Sequence, residues 1–192
     1  MRKFLVTLIA VATLGAGTAL AQGGMWAGLS TGYPFGATLH FGMEDLISPG
    51  VDVRFNFRGN MVGGSAANGG YTATWGGLAF GVGADVLYSL SDLAVDSPVE
   101  PYVGGGLSLG LVSGSGTINP GNTPFAVSGL GWDLHGLVGA EYIFADHFGV
   151  FGEGQLGYGG AATAALDSTG HYIAQSGSGL TFALRLGVNY HF

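Results

Sequence analysis

Apolar and polar residues alternate along most of this chain with a period of two, the spacing at which successive side chains of a β-strand leave opposite faces. In the last thirteen residues, Leu180, Phe182, Leu184, Leu186, Val188, Tyr190 and Phe192 share one face, while Thr181, Ala183, Arg185, Gly187, Asn189 and His191 share the other. Between 51 and 58 the split is complete, with Val51, Val53, Phe55 and Phe57 opposite Asp52, Arg54, Asn56 and Arg58. Further on, Trp132, Leu134, Val138, Ala140, Tyr142 and Phe144 oppose Asp133, His135, Gly139 and Glu141, with Leu137 and Ile143 as apolar exceptions on the polar side. Val150, Leu156 and Tyr158 similarly oppose Glu153 and Gln155.

Eight such segments, separated by Gly, Pro, Ser, Asn and Asp, are predicted near 24–33, 36–44, 51–60, 73–90, 101–113, 126–144, 148–159 and 179–192. Strands with charge on one face and aromatic or aliphatic residues on the other need water or protein inside and hydrocarbon outside. The expected fold is therefore all-β, an eight-stranded antiparallel up-and-down transmembrane β-barrel. An even strand count puts both termini on one side, the periplasmic one. The Gly-, Ser-, Ala-, Asn- and Thr-rich stretches at 61–72, 114–125 and 160–178 are expected to be extracellular loops, and 45–50 and 145–147 short periplasmic turns. Tyr33-Pro34-Phe35 makes an unusually tight first outer loop, and Ser91 to Glu100 an unusually long periplasmic turn.

The N-terminus adds a compartment. Met1-Arg-Lys3, an apolar run from Phe4 to about Leu14 and the small residues of Ala19-Leu20-Ala21 describe a secretory signal peptide over 1–21, leaving 22–192 as the barrel domain. That run is shorter than the ~20 residues a spanning helix needs. The mature chain keeps only Arg54, Arg58 and Arg185 as basic residues, against twelve acidic ones. Nucleic acid is excluded as a partner, because phosphate binding needs clustered Lys and Arg. With no Cys, the exported chain cannot rely on disulfides. Its 39 glycines argue against a helical bundle and suit the crowded interior and sharp coiling of a small barrel.

Several segments resemble the small bacterial outer-membrane β-barrel superfamily that includes the OmpA, OmpX and OmpW type proteins. Pro101-Tyr-Val-Gly-Gly-Gly-Leu107 is similar to a Pro-Tyr-x-Gly-x-Gly strand opening of that superfamily. Gly139-Ala-Glu-Tyr-Ile-Phe-Ala-Asp-His-Phe-Gly-Val-Phe-Gly-Glu153 is similar to its Gly-x-Glu-Tyr strand, tight turn and return strand with an inward Glu. The closing strand, with Tyr190 and Phe192, resembles the assembly signal of such barrels. The resemblance implies an outer-membrane location, lipid and the barrel-assembly machinery as partners, and a monomer.

Candidate chemistry collects on the inward face, where Glu44, Asp52, Arg54, Arg58, Asp85, Asp133, Glu141, Glu153 and Arg185 form an expected lumen charge network. Its plain interpretation is an ion-pair core filling a barrel too narrow for open water, in a protein with a structural or surface-interaction role. The alternative is a narrow porin-like channel for small solutes or, as the OmpW resemblance allows, small apolar molecules. No cofactor or metal is expected: Gly152-Glu-Gly-Gln-Leu-Gly157 fits a dinucleotide pattern but lies within a strand, and no two His residues have close ligand spacing. Asp133 and His135, with Ser128 toward the same strand's outer end, are the one combination suggestive of hydrolysis, but the His-x-Ser-Asn pattern of outer-membrane deacylases is missing, so no enzyme is expected. Trp26, Phe41, Trp75, Tyr88, Trp132, Tyr142, Phe148, Tyr158, Tyr190 and Phe192 are assigned to two outward interfacial girdles. Apart from Tyr71 and Tyr172 near strand ends, the outer loops lack the aromatic or Arg residues of a binding hot spot, so an adhesin or receptor role has little support in the sequence.

Overall fold

The computed structural model describes residues 24–192 apart from 69, 94–96, 146 and 168–171, so the signal-peptide assignment lies outside the described residues. Eight strands run β1 Met25–Tyr33, β2 Gly36–Ser48, β3 Val51–Asn68, β4 Tyr71–Ser89, β5 Val99–Asn119, β6 Thr123–Phe144, β7 Phe148–Asp167 and β8 Tyr172–His191. Each pairs antiparallel with its sequence neighbour, and β8 returns to β1 in the register Trp26↔His191 to Tyr33↔Leu184, closing the ring. Closure removes the sheet edges that a period-two apolar face would otherwise expose.

The outward face carries the apolar residues that alternation placed there. Leu134, Leu156, Phe182 and Leu186 are all exposed, Leu186 at 69%. Arg54, Asp85, His135, Glu153 and Arg185 on the opposite face are buried. This is the inverse of a soluble barrel, whose lining is apolar and whose exterior is polar.

Strand length departs from expectation. The stretches 61–68, 114–119, 123–125 and 160–167 continue their strands rather than forming loops, and β8 starts at Tyr172 rather than near 179. The hydrogen-bonded ladder persists through Asn68↔Tyr71 and Ile118↔Thr123. The physical reason is visible on the outer face: above Leu111 β5 turns Ser113, Ser115 and Thr117 outward, and β6 turns Ser128, Ala126 and Pro124 outward beyond Leu130. Backbone pairing needs no apolar side chains, so the ladder runs on where the apolar alternation stops. At 22 residues, β6 is about twice the 9–11 that a tilted strand needs to cross a bilayer.

The first hairpin does not share this extension. β1 ends at Tyr33 and β2 begins at Gly36, joined by the tight Pro34-Phe35 turn that the sequence predicts. Above it, β3 from Val62 to Asn68 pairs only with β4, Met61 N–H still donating to Phe35 O of the hairpin turn, and β8 from Tyr172 to Ala183 pairs only with β7. The projecting part is thus an open six-stranded wall with a notch over the first hairpin. At the opposite end the expected turn at 45–50 shrinks to Pro49-Gly50, because β2 continues to Ser48 through a register shift that holds Asp45 at φ 55°; Gly50 sits at φ 78° and its N–H donates to Asp45 Oδ1 at 2.6 Å. A single helical turn at Ser91–Leu93 begins the long β4–β5 connection.

Two of the aromatic residues assigned to the girdles face inward instead. Trp26 is 5% exposed and packs with Leu87, Leu137 and Tyr102 inside the barrel. The space for it comes from Gly42 on β2, where a Cβ would run into the indole ring. Trp75 shares the face of Asp85 on β4 and lies half-buried against Gly64. Leu137 and Ile143, apolar on a polar face by sequence, also face the interior, and Leu137 joins the Trp26 cluster.

Candidate functional site: the charged barrel interior

All nine predicted network residues share the inward face of their strands; eight of them fall into two groups, and Arg58 lies apart, lining a small cleft beside the first hairpin. The first is a deep cluster centred on Arg54, which projects from β3 and is 1% exposed. Its Nε and Nη2 donate to Asp85 Oδ2 on neighbouring β4 at 2.9 and 2.7 Å. Its Nη1 lies 2.7 Å from Glu153 Oε2 on β7, the strand diametrically opposite in an eight-membered ring. One guanidinium therefore spans the lumen and uses its forked donors on two carboxylates, a geometry lysine could not reproduce.

Neighbouring side chains saturate those carboxylates. Asp85 also accepts from Asn56 Nδ2 at 2.7 Å, while Glu153 accepts from Tyr102 Oη at 3.2 Å and Gln155 Nε2 at 2.8 Å. His135 Nε2 lies 3.1 Å from Asp85 Oδ1, and its Nδ1 lies 2.7 Å from Asp133 Oδ1. Both contacts are to carboxylate oxygens, which accept only, so both ring nitrogens carry protons. Thr181 on β8 donates to Asp133 Oδ2 at 2.5 Å, tying β6 to β8. His40, fully buried, links Ser30 and Asn56 at 2.6 Å each and sets its ring edge-on to Phe151 at 5.6 Å. Phe151 is 1% exposed and occupies the interior where Gly187 provides room on β8. Arg185 reaches the same level, its Nη1 3.8 Å from Glu153 Oε1, beyond hydrogen-bonding reach.

The second group lies at the end where both termini emerge. A cavity of about 480 Å³ opens there, lined by Glu44, Asp52, Glu100, Glu141 and His191 among others, with Arg54 and Tyr102 at its inner end. His191 bridges two strands, with Nδ1 3.0 Å from Glu44 and Nε2 2.9 Å from Glu141. Asn189 adds a 3.0 Å bond to Glu141.

The sequence places Asn56 and Gln155 on the polar faces of β3 and β7 without assigning them to the network, and it gives no role to Tyr102 or Phe151; together with His40 these side chains fill the space between the ions. The inward parity of Phe151 was available, since it shares a face with Glu153. Asp133 and His135 do meet, but Ser128 is exposed on the opposite face of β6, so the three do not converge. Among the described residues no group of three His, Cys, Asp or Glu side chains is arranged to hold a metal ion. Gly152 to Gly157 lie within β7, and among the described residues no helix follows them to receive a phosphate. The side chains of Tyr71 and Tyr172 lie outside those described.

No protein-family model matches the sequence, and no curated protein resembles it. Solved structures do. A major outer membrane protein from Thermus thermophilus superposes with a TM-score of 0.64 at 19% identity, over 88% of this chain and 99% of that one. Acinetobacter baumannii CarO follows with a TM-score of 0.46 at 14% identity, over 88% of this chain and 97% of its own. The N-terminal β-barrel domain of Pseudomonas aeruginosa OprF gives 0.37 at 15%, over 89% and 100%. The first of these carries the comparison: the chain has the fold of a small eight-stranded outer-membrane β-barrel.

Proposed function

We propose that this chain is an integral outer-membrane β-barrel that does not conduct, its lumen closed by the Arg54-centred cluster, with a structural or surface-interaction role carried by the projecting wall. The observation that supports this most directly is the 2.7 Å contact from Arg54 on β3 to Glu153 on β7, which joins opposite sides of the barrel. An ion pair across the full diameter obstructs the lumen at its own level, and the His40–Phe151 pair and Tyr102 add bulk beside it, which supports a closed barrel. The apolar outer face requires lipid as its solvent, because so many exposed Leu, Val and Phe side chains would aggregate in water. Signal peptide, outer-membrane location, periplasmic termini and monomeric state belong to the same proposal, as does recognition of Tyr190 and Phe192 by the barrel-assembly machinery. Both aromatic side chains are presented outward at the end of β8, their rings 5.2 Å apart and edge-on.

Planar-bilayer recording tests closure. The wild-type barrel is expected to give no stable current steps, whereas the Arg54→Ala, Glu153→Ala double variant, with its cross-lumen contact removed, is expected to give them. Reproducible single-channel steps from the wild type would overturn the proposal in favour of a channel.

A further inference from the structure

The notch over the first hairpin leads to a narrow cleft lined by Thr38, Arg58, Asn60 and Arg185, with Tyr33 and Pro34 at its rim. Arg185 is 5% exposed, and neither of its buried Nη atoms has a hydrogen-bond partner in the protein. Its nearest carboxylate, Glu153, already accepts from Arg54, Tyr102 and Gln155. An unsatisfied buried guanidinium is costly, and its four Nη hydrogens demand acceptors.

Charge counting points the same way. Around the deep cluster the described residues place four cations, Arg54, Arg58, Arg185 and the doubly protonated His135, against three carboxylates, Asp85, Asp133 and Glu153. The group carries one positive charge in excess at its outer end, while the surplus of acids sits at the other end around Glu44, Asp52, Glu100 and Glu141. Thr38 and Asn60 supply a hydroxyl and an amide as further donors at the cleft.

We propose that the cleft binds a single small monovalent anion of halide type, held between the guanidinium groups of Arg58 and Arg185 and reached through the notch. The narrowness of the cleft favours a monatomic ion over a larger oxyanion, and one negative charge balances the cluster. The anion completes the hydrogen bonding of Arg185 from the outer side, where no carboxylate reaches it.

Bromide is the probe. The barrel, folded in detergent and crystallised from sodium bromide, should show an anomalous peak within hydrogen-bonding reach of the Arg185 Nη atoms. In solution, bromide should raise the unfolding temperature relative to methanesulfonate at equal ionic strength, since methanesulfonate screens charge but is too large for the cleft. The variant Arg58→Gln at this partly buried position, which leaves the Arg54 pairs intact, should weaken bromide binding about tenfold or more, the loss of one charge-assisted contact. Arg185→Lys, which keeps the charge while removing the fork, provides a second variant should Arg58→Gln fail to fold. An ordered Arg185 with no peak, equal stabilisation by the two anions, or undiminished bromide binding in the folded variant would each overturn the proposal.

Discussion

Glu153→Gln is the most discriminating perturbation of the interior, because it removes one charge while preserving shape and one accepting oxygen. In the wild type this carboxylate receives Arg54 at 2.7 Å, Gln155 at 2.8 Å and Tyr102 at 3.2 Å, and lies 3.8 Å from Arg185. It is 4% exposed, so water does little to screen these contacts. Deleting one partner of a buried pair costs about 3–5 kcal/mol, since the other charge is left uncompensated. Asp85 still pairs with Arg54 in the variant, and the amide oxygen still accepts one bond, which places the expected loss near the lower end, about 3 kcal/mol. Urea unfolding in lipid vesicles, followed by tryptophan fluorescence and by heat-modifiable gel migration, measures it. Glu100→Gln at the exposed rim is the control, expected to stay within about 0.5 kcal/mol of wild type. A cycle combining Glu153→Gln with Arg54→Met should yield a coupling above about 1 kcal/mol. If Glu153→Gln proved no more destabilising than Glu100→Gln, the cross-lumen pair would not be holding the barrel and the reasoning would fail.

Two further substitutions probe the wall. Leu186→Arg places a charge near the middle of the apolar band on β8 and should cost about 2–4 kcal/mol in vesicles, whereas Ser115→Arg, on the outward face of β5 above the band, should change stability by less than about 0.5 kcal/mol. Equal costs in the same unfolding assay would place the membrane boundary elsewhere. Gly42→Val drives a side chain into the Trp26 indole and should cost about 1–3 kcal/mol; in a Trp26→Val background the same change should cost less than half as much, because the ring it strikes is gone.

What can be read from the sequence depends on which physical signal each feature uses. The number, order and facing of the strands are legible because lipid demands an apolar residue at every second position, and β8 shows that demand from Leu180 to Phe192. The upper half of β5 is not legible, since Gly114, Ser115, Gly116 and Thr117 carry no such demand although their backbone remains paired with β6. Trp26 is misplaced for a related reason. An aromatic ring in a barrel sequence is ordinarily an interfacial residue, and only its partner across the strand pair, Gly42, reveals that the ring turns inward. Charges are easier to place than rings because an Arg or Glu facing hydrocarbon is prohibitive, whereas a Trp is tolerated on either side.

The same asymmetry explains why the identity of the network is legible and its pairing is not. Parity puts Arg54, Arg58 and Arg185 inside, but parity is a property of single strands, and the decisive contact joins β3 to β7 across the ring. Which cation meets which carboxylate depends on strand stagger and on the volume of the uncharged residues between them. Phe151 and His40 take up space beside the cluster, while Tyr102 and Gln155 take two acceptor positions on Glu153. With Glu153 so occupied and Asp85 shared by Arg54, Asn56 and His135, Arg185 is left without a hydrogen-bonded carboxylate despite an acidic chain overall. The excess of acids lies beyond Arg54, at the terminal end of the lumen. An acidic protein can therefore carry a locally cationic site facing the outer notch, and net charge alone would have assigned the wrong sign to whatever binds there.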